Sequence, residues 1–223
     1  MTRLHIVVEG QSEEIFVKKT LTPYLAERGV FVASPVVVWT KRLPIGGGFR
    51  GGVSRWNQVR NSLMPLTHDS NAWVTTLFDF YGLPDDFPGY QDALKLRSPC
   101  DQVIALEQQF SNEIAHPRFI PFFALHEFEA WLFTAPKIVA EHFGNIELAK
   151  ELQKAVSHAG GPELINHGKD THPKARLQSL NTGYGETSDG PALIEKIGIT
   201  KIRNACPHFS DWLSHLEALG QVT

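Results

Sequence analysis

A chain of 223 residues, 42% hydrophobic and 20% charged, can bury a core of its own without disulfides or a structural metal. Its net charge of −3 excludes a global field that would draw it to nucleic acid or an anionic membrane, so any such attraction must come from a local basic patch. Two distant cysteines, Cys100 and Cys206, form no CxxC pair and argue against a disulfide framework or zinc module.

The opening MTRLHIVVEG enters a strand pattern directly, with no apolar signal core, and no run approaches the roughly 20 apolar residues of a membrane span. The cytoplasm is the expected compartment. Leu4 to Val8 is a short β-branched run that stops at Glu9-Gly10. Ser12 can cap the next helix, with Glu13 and Glu14 in its first turn. The valine-rich stretch from Phe31 to Trp39 predicts a second strand, and strand, helix, strand predicts a βαβ unit with a parallel sheet. Lys41 to Gly52, containing GGGFRGG, reads as a loop, and Ser54 can cap a helix running to about Leu66. Ala72 to Phe78 predicts a third strand, with Asp79 just past it and the breaker-rich DFYGLPDDFPG beyond. Pro99 to Ala115 predicts a helix and Phe119 to Ala124 a fourth strand, at whose end HEFEAWLF starts another helix.

From about Pro136 the strand signals fade and short helices dominate. They end in CPHFSDWLSHLEAL, where Phe209, Trp212, Leu213 and Leu216 form one apolar face. The expected architecture is an α/β core over residues 1–135, with a central, mostly parallel sheet flanked by helices. A mainly helical part over residues 136–223 is expected to pack on the same domain.

Ligands of open α/β sheets bind outside the carboxyl ends of the strands. Glu9 follows the first strand, Asp79 the third, and Glu127 and Glu129 the fourth, so these acids are expected along one rim. Carboxylates crowded together repel one another and call for protons or a cation. Magnesium takes oxygen ligands and needs few direct carboxylates, which suits phosphoryl chemistry. The alternative is that some of these acids cap helices or pair with arginine. Glu13, one helical turn after Glu9, either points back at the same rim or only stabilises its helix. His126 is either a metal ligand or proton carrier, or a histidine bonded to the backbone at a helix start. HEFE is not HExxH, so a zinc protease reading fails.

GGGFRGG, flanked by Lys41, Arg42, Arg50 and Arg55, could grip a nucleic-acid backbone, or be a plain surface loop. It lacks the ending of a P-loop. In HGKDTHPKARLQSL, Lys169, Lys174 and Arg176 could touch phosphates, or be solvated. His208 and both cysteines read as packing residues.

The ordered set VEGQSEE, FDFYGLPDDFPG, HEFEAWLF, PELIN, HPKARL, SDGP and CPHFSDWL resembles the bacterial family called domain of unknown function 4276, over nearly the whole chain. That family is similar to the Toprim fold of topoisomerases, primases and nucleases of the overcoming-lysogenization-defect type. The resemblance implies a magnesium (or manganese) site built on a glutamate after the first strand and an aspartate after a later one. These fall on Glu9 and Asp79, with Glu13 as the acid one turn on. Toprim domains carry DxD where this chain has Asp79-Phe80-Tyr81, so Asp85, Asp86, Glu127 or Glu129 would have to complete the site.

The resemblance also implies an ATPase partner and a role in phage defence. The leading expectation is a magnesium-dependent nuclease acting on DNA or RNA. The alternatives are a non-catalytic Toprim-like module that binds an ATPase or nucleic acid, and a hydrolase of small phosphate esters.

Overall fold

A computed structural model describes residues 2–42, 48–50, 52–165, 168, 170–180 and 183–221. Strand β1 (Thr2–Val8) leads into helix α1 (Gln11–Phe16), which continues through a π-helical turn at Val17–Leu21 into α2 (Thr22–Ala26). The widened turn lies just ahead of Pro23, which has no N–H to offer the regular ladder. The helix is capped at Gly10 and not by Ser12. The Glu13 carboxylate turns back to accept the Gly10 N–H at 2.9 Å, while Ser12 Oγ donates to the carbonyl of Glu186.

The valine-rich stretch is not one strand but two fragments, β2 (Val30–Val32) and β3 (Val36–Val37), both paired in parallel with β1. Pro35 lies between them and cannot donate to a ladder. The segment expected as a loop holds a hairpin, in which β4 (Trp39–Arg42) pairs antiparallel with β5 (Gly48–Arg50). Helix α3 (Trp56–Thr67) starts from Arg55, one residue beyond the expected cap. Gln58 Oε1 accepts the N–H groups of Ser54 and Arg55, and Asp86 Oδ1 accepts that of Trp56.

Strand β6 (Ala72–Asp79) is the centre of the sheet, followed by α4 (Tyr90–Ala93) and α5 (Pro99–Ile114). The expected fourth strand is also split, into β7 (Phe119–Ile120) and β8 (Phe123–Ala124), each parallel to β6. Pro121 causes this gap as well. Thr76 bridges it by donating Oγ1–H to the Phe122 carbonyl and accepting the Phe122 N–H. The sheet order is β2–β1–β6–β7, with β3 beside β1 and β8 beside β6, and its pairings are parallel.

A 3₁₀ helix (Phe128–Thr134) then opens a helical succession of α6 (Pro136–His142), α7 (Ile146–Ala159), α8 (Pro173–Ser179), α9 (Asp189–Ile197), α10 (Ile199–Ala205) and α11 (Pro207–Ala218). Among the described residues no helix is long and apolar enough to cross a membrane.

Both faces of the sheet are covered, and side chains alternate between two cores. Leu4, Ile6 and Val8 of β1 and Leu77 of β6 pack with α1, the 3₁₀ helix and the late helices around Phe209 and Trp212. Val7, Val74 and Phe78 face the other way, onto α3 and α5. The last helix is fixed to the central strand where Trp212 Nε1–H donates to Thr75 Oγ1 at 2.9 Å. Beyond it, Gly220 lies so close to the chain before β2 that a Cβ there would fall 1.8 Å from the Arg28 carbonyl oxygen.

The start of α11 is held by a buried acid, because Glu163 accepts the N–H of His208 and that of Phe209, each at 2.9 Å. Both would otherwise be orphan donors of the first turn. Glu163→Ala should therefore cost ~2–4 kcal/mol in urea unfolding, and Glu163→Gln distinctly less, because one amide oxygen still accepts. Equal stability of the alanine variant and the parent protein would contradict this role.

Candidate functional site

The register of β1 against β6 pairs Val8 with Leu77, so Glu9, just past β1, meets Asp79, which is the last residue of β6 and not one beyond it, at one edge. The backbone N–H of Asp79 donates to Glu9 Oε2 at 3.2 Å, and the Val53 N–H also binds this carboxylate. The neighbouring Gly52 N–H donates to the Glu9 carbonyl at 3.1 Å, which ties the chain just after the hairpin to the end of β1. Asp79 Oδ1 accepts the Phe128 N–H at 2.9 Å, where the 3₁₀ helix begins. Two acids from distant stretches are thus each held by the other's surroundings, and both keep part of their surface open.

Glu13, Glu127 and Glu129 are buried around this pair. Burial, with the charges of Glu9 and Glu129, pushes Glu13 up to about 8. Burial, with Glu127 and Glu186, pushes Glu129 up to about 7. Asp79 is raised well above the usual carboxylate range by burial and by Glu13, Glu9, Glu129 and Glu127. Burial raises Glu9 too, against the opposing pull of its two backbone N–H donors. Glu13 closes tightly on its backbone donor because residue 10 is glycine: a Cβ there would lie 3.2 Å from the carboxylate oxygen.

Glu127 Oε2 accepts from the backbone N–H of Lys174 at 3.0 Å and bonds His172 Nδ1 at 2.9 Å. Glu129 Oε1 accepts the Tyr184 hydroxyl at 3.0 Å, and burial together with the Glu129 charge raises that phenol. The Lys174 ammonium is paired with Glu186. Burial would lower Lys174, but the hydrogen bond and charge of Glu186, with Glu129 and Glu127, raise it.

The five acids expected at the rim are therefore brought into one neighbourhood, and Lys174 joins them. Among the described residues, however, no three His, Cys, Asp or Glu side chains are arranged to hold a metal ion as they stand. The two observations agree once each carboxylate's partner is considered. Glu9, Asp79, Glu13 and Glu127 each turn toward backbone N–H groups, while their charges still act on one another. The donor set fits a hard divalent cation in chemistry, since it is all oxygen, buried and mutually repulsive.

Other expected residues lie elsewhere. Asp85 accepts from Gln91 Nε2 and Asp86 from the Trp56 N–H, and both are exposed, so neither replaces the second acid of DxD. Tyr81, at that second position, is 38% exposed and stacks on His172 with ring centres 5.2 Å apart. His126 is 1% exposed in a left-handed backbone conformation, φ 71°, with its carbonyl accepting the Tyr81 N–H. Such a backbone is uncommon for a residue with a Cβ. Arg55 is exposed, and Arg176 Nε–H donates to the Thr171 carbonyl, bracing the start of its own helix. The side chains of Lys41, Arg42 and Arg50, and Lys169 altogether, lie outside the described residues.

His172, Tyr184 and Glu186 were not singled out from the sequence. HPKARL and SDGP mark their surroundings, but nothing in spacing tells that segments some 45 to 55 residues downstream of Glu127 and Glu129 return to them. His208, read as structural, bonds Glu107 at 3.0 Å away from the acids.

The model of the family described as Domain of unknown function (DUF4276) matches residues 8–217. Among curated proteins, none matches. Two solved structures of the C-terminal region of the OLD protein of Xanthomonas campestris pv. campestris are similar. The one phased with mercury is 14% identical, covering 100% of this chain and 98% of that one, with a TM-score of 0.43. The one phased with iodine is 16% identical, covering 96% and 97%, with a TM-score of 0.35.

Buried acids with raised pKa values destabilise the fold once ionised. The share of stability tied to Glu13 is full below its ordinary 4.5 and is lost as pH rises through about 8. In EDTA, stability from urea unfolding should fall across that window. Glu13→Gln should flatten the fall and leave the protein more stable than the parent at its upper end. A parent profile that is flat or rising over this range would refute the mutual repulsion.

Proposed function

The chain belongs to the family described as Domain of unknown function (DUF4276), and on that premise we propose that it is a divalent-cation-dependent nuclease that hydrolyses phosphodiesters. The observation that carries the reading is the Glu9 carboxylate accepting the backbone N–H of Asp79 at 3.2 Å, which sets two acids side by side amid further buried acids that oppose ionisation. Such a cluster favours a cation over solvent exchange. The Toprim-like character read in the sequence supports the same chemistry, and the ATPase partner and defence role rest on that resemblance alone.

Glu9 and Asp79 would hold Mg2+ or Mn2+, with Glu13, Glu127 and Glu129 around them. When bound, the cation supplies charge neutralisation on the phosphate and activation of water. The chain's own residues do the rest. The N–H groups of Asp79, Val53 and Phe128 orient the two leading carboxylates. His172 and the Lys174 N–H fix Glu127, and Tyr184 fixes Glu129. Lys174 lies close enough to the acids to exchange Glu186 for a phosphate oxygen. Burial and neighbouring charges favour the protonated forms of Glu13 and Glu129, and a bound cation would displace those protons.

A non-catalytic binding module is the second reading, and Tyr81 favours it, because an aromatic ring cannot replace the second carboxylate of DxD. One experiment separates the two. Mn2+ at about 100 times its dissociation constant should stabilise the protein by about 2.7 kcal/mol, and single- or double-stranded DNA or RNA should be cut in its presence. Glu9→Gln and Asp79→Asn should abolish the stabilisation and lower cleavage by ~100-fold or more. Stabilisation without cleavage of any nucleic acid would support the binding module. Stabilisation that survives both substitutions would overturn the site.

A further inference from the structure

Apart from the acids, the helical part of the chain carries a groove that the proposed reaction does not use. Helices α6 and α7, with Lys201 of α10, line an open hollow of about 1060 Å3. A second hollow of about 510 Å3 adjoins it, sharing Lys137, Ala149 and Lys150 and reaching Ile146. Ile138 and Ala149, partly buried against the core, contribute apolar surface to the floor. Ile146, at the start of α7, is 81% exposed. Four lysines stand around this surface: Lys137, Lys150, Lys154 and Lys201. Lys150 and Lys154 meet only Glu147 and Glu151 in exposed pairs on their own helix, which contribute little. Lys137 and Lys201 have no ionic partner among the described residues. Glu141 lines the second hollow, so the unbalanced positive charge lies around the first, at Lys137 and Lys201, on a protein whose net charge is −3.

We propose that this groove is a docking site for an amphipathic helix of a partner protein, with acidic residues flanking an apolar stripe. The apolar floor and the bare isoleucine call for side chains that remove them from water, at ~25 cal/mol per Å2 buried. The lysine rim calls for carboxylates and steers their approach. A nucleic-acid backbone would satisfy the lysines and leave Ile146 wet, and a flat membrane would not enter a hollow between two helices. From Ile146 to His158 the groove runs about 18 Å along α7, the length of a helix of about 12 residues. That length carries anchors at i, i+3 or i+4, and i+7, as in helix-in-groove recognition.

The test uses the full chain and a labelled peptide of about 16 residues, with leucines at those spacings and glutamates elsewhere, followed by fluorescence anisotropy. Saturable binding in the ~10 μM range is expected, with a lysine-for-glutamate version of the peptide at least ~10-fold weaker. Ile146→Asp should weaken the acidic peptide ~10-fold or more. Lys137→Glu combined with Lys201→Glu should reverse the preference between the peptides. These side chains are exposed, and unchanged circular dichroism of each variant confirms the fold. The proposal is overturned if neither peptide saturates, if both bind alike, or if the substitutions change nothing. It is also overturned if a single-stranded oligonucleotide or anionic vesicles bind through the same residues and displace the peptide.

Discussion

Parallel pairing of β1 with β6 is the constraint from which the rest of the molecule follows. It sets Val8 opposite Leu77 and so delivers Glu9 and Asp79 to one edge of the sheet, where two like charges meet in a place partly withdrawn from water. Everything next to that edge addresses this conflict. Backbone N–H groups from Val53, Asp79 and Phe128 point at the carboxylates, and Glu13 folds back on Gly10. These donors reduce the repulsion without removing it. Proton uptake relieves it further, and on the proposed reading a bound cation would turn the arrangement from a cost into a source of stability.

The helical part is not an accessory laid over a finished α/β core. It supplies His172, Lys174 and Tyr184, whose contacts fix Glu127 and Glu129, and the Lys174–Glu186 pair, which adds one charge of each sign to the cluster. Together with α1 and the 3₁₀ helix it covers one face of the sheet with apolar side chains. The site and the core therefore depend on the same late helices. The lysine-rimmed groove lies between α6 and α7, so the acids and the proposed docking surface are carried by separate elements.

What could be read in the sequence was whatever depends on local pattern. Alternating β-branched runs marked the strand positions, and Glu9 and Asp79, directly after the first and third runs, marked the rim. Less legible were features decided by a single backbone donor. Pro35 and Pro121 each cut a run of apolar residues that hydropathy alone presents as continuous. The hairpin of β4 and β5 was hidden because glycine-rich sequence reads as loop whether or not its flanks pair. Caps also escaped: Ser12 and Ser54 have the favoured residue type, but Glu13 and Gln58 do the capping through longer side chains. His172 and Tyr184 are set by long-range packing, which no local period encodes.

The bond from Trp212 to Thr75 spans 137 positions of chain and joins the middle strand to the helix that leaves the ribosome long after it. Until α11 emerges, the face of the sheet bearing Leu4, Ile6 and Leu77 has no cover from Phe209 and Trp212. Phe16 and Leu21 cover part of that face from nearby in the chain, but its closure waits for a contact of very high sequence separation, whose loop-closure entropy slows folding.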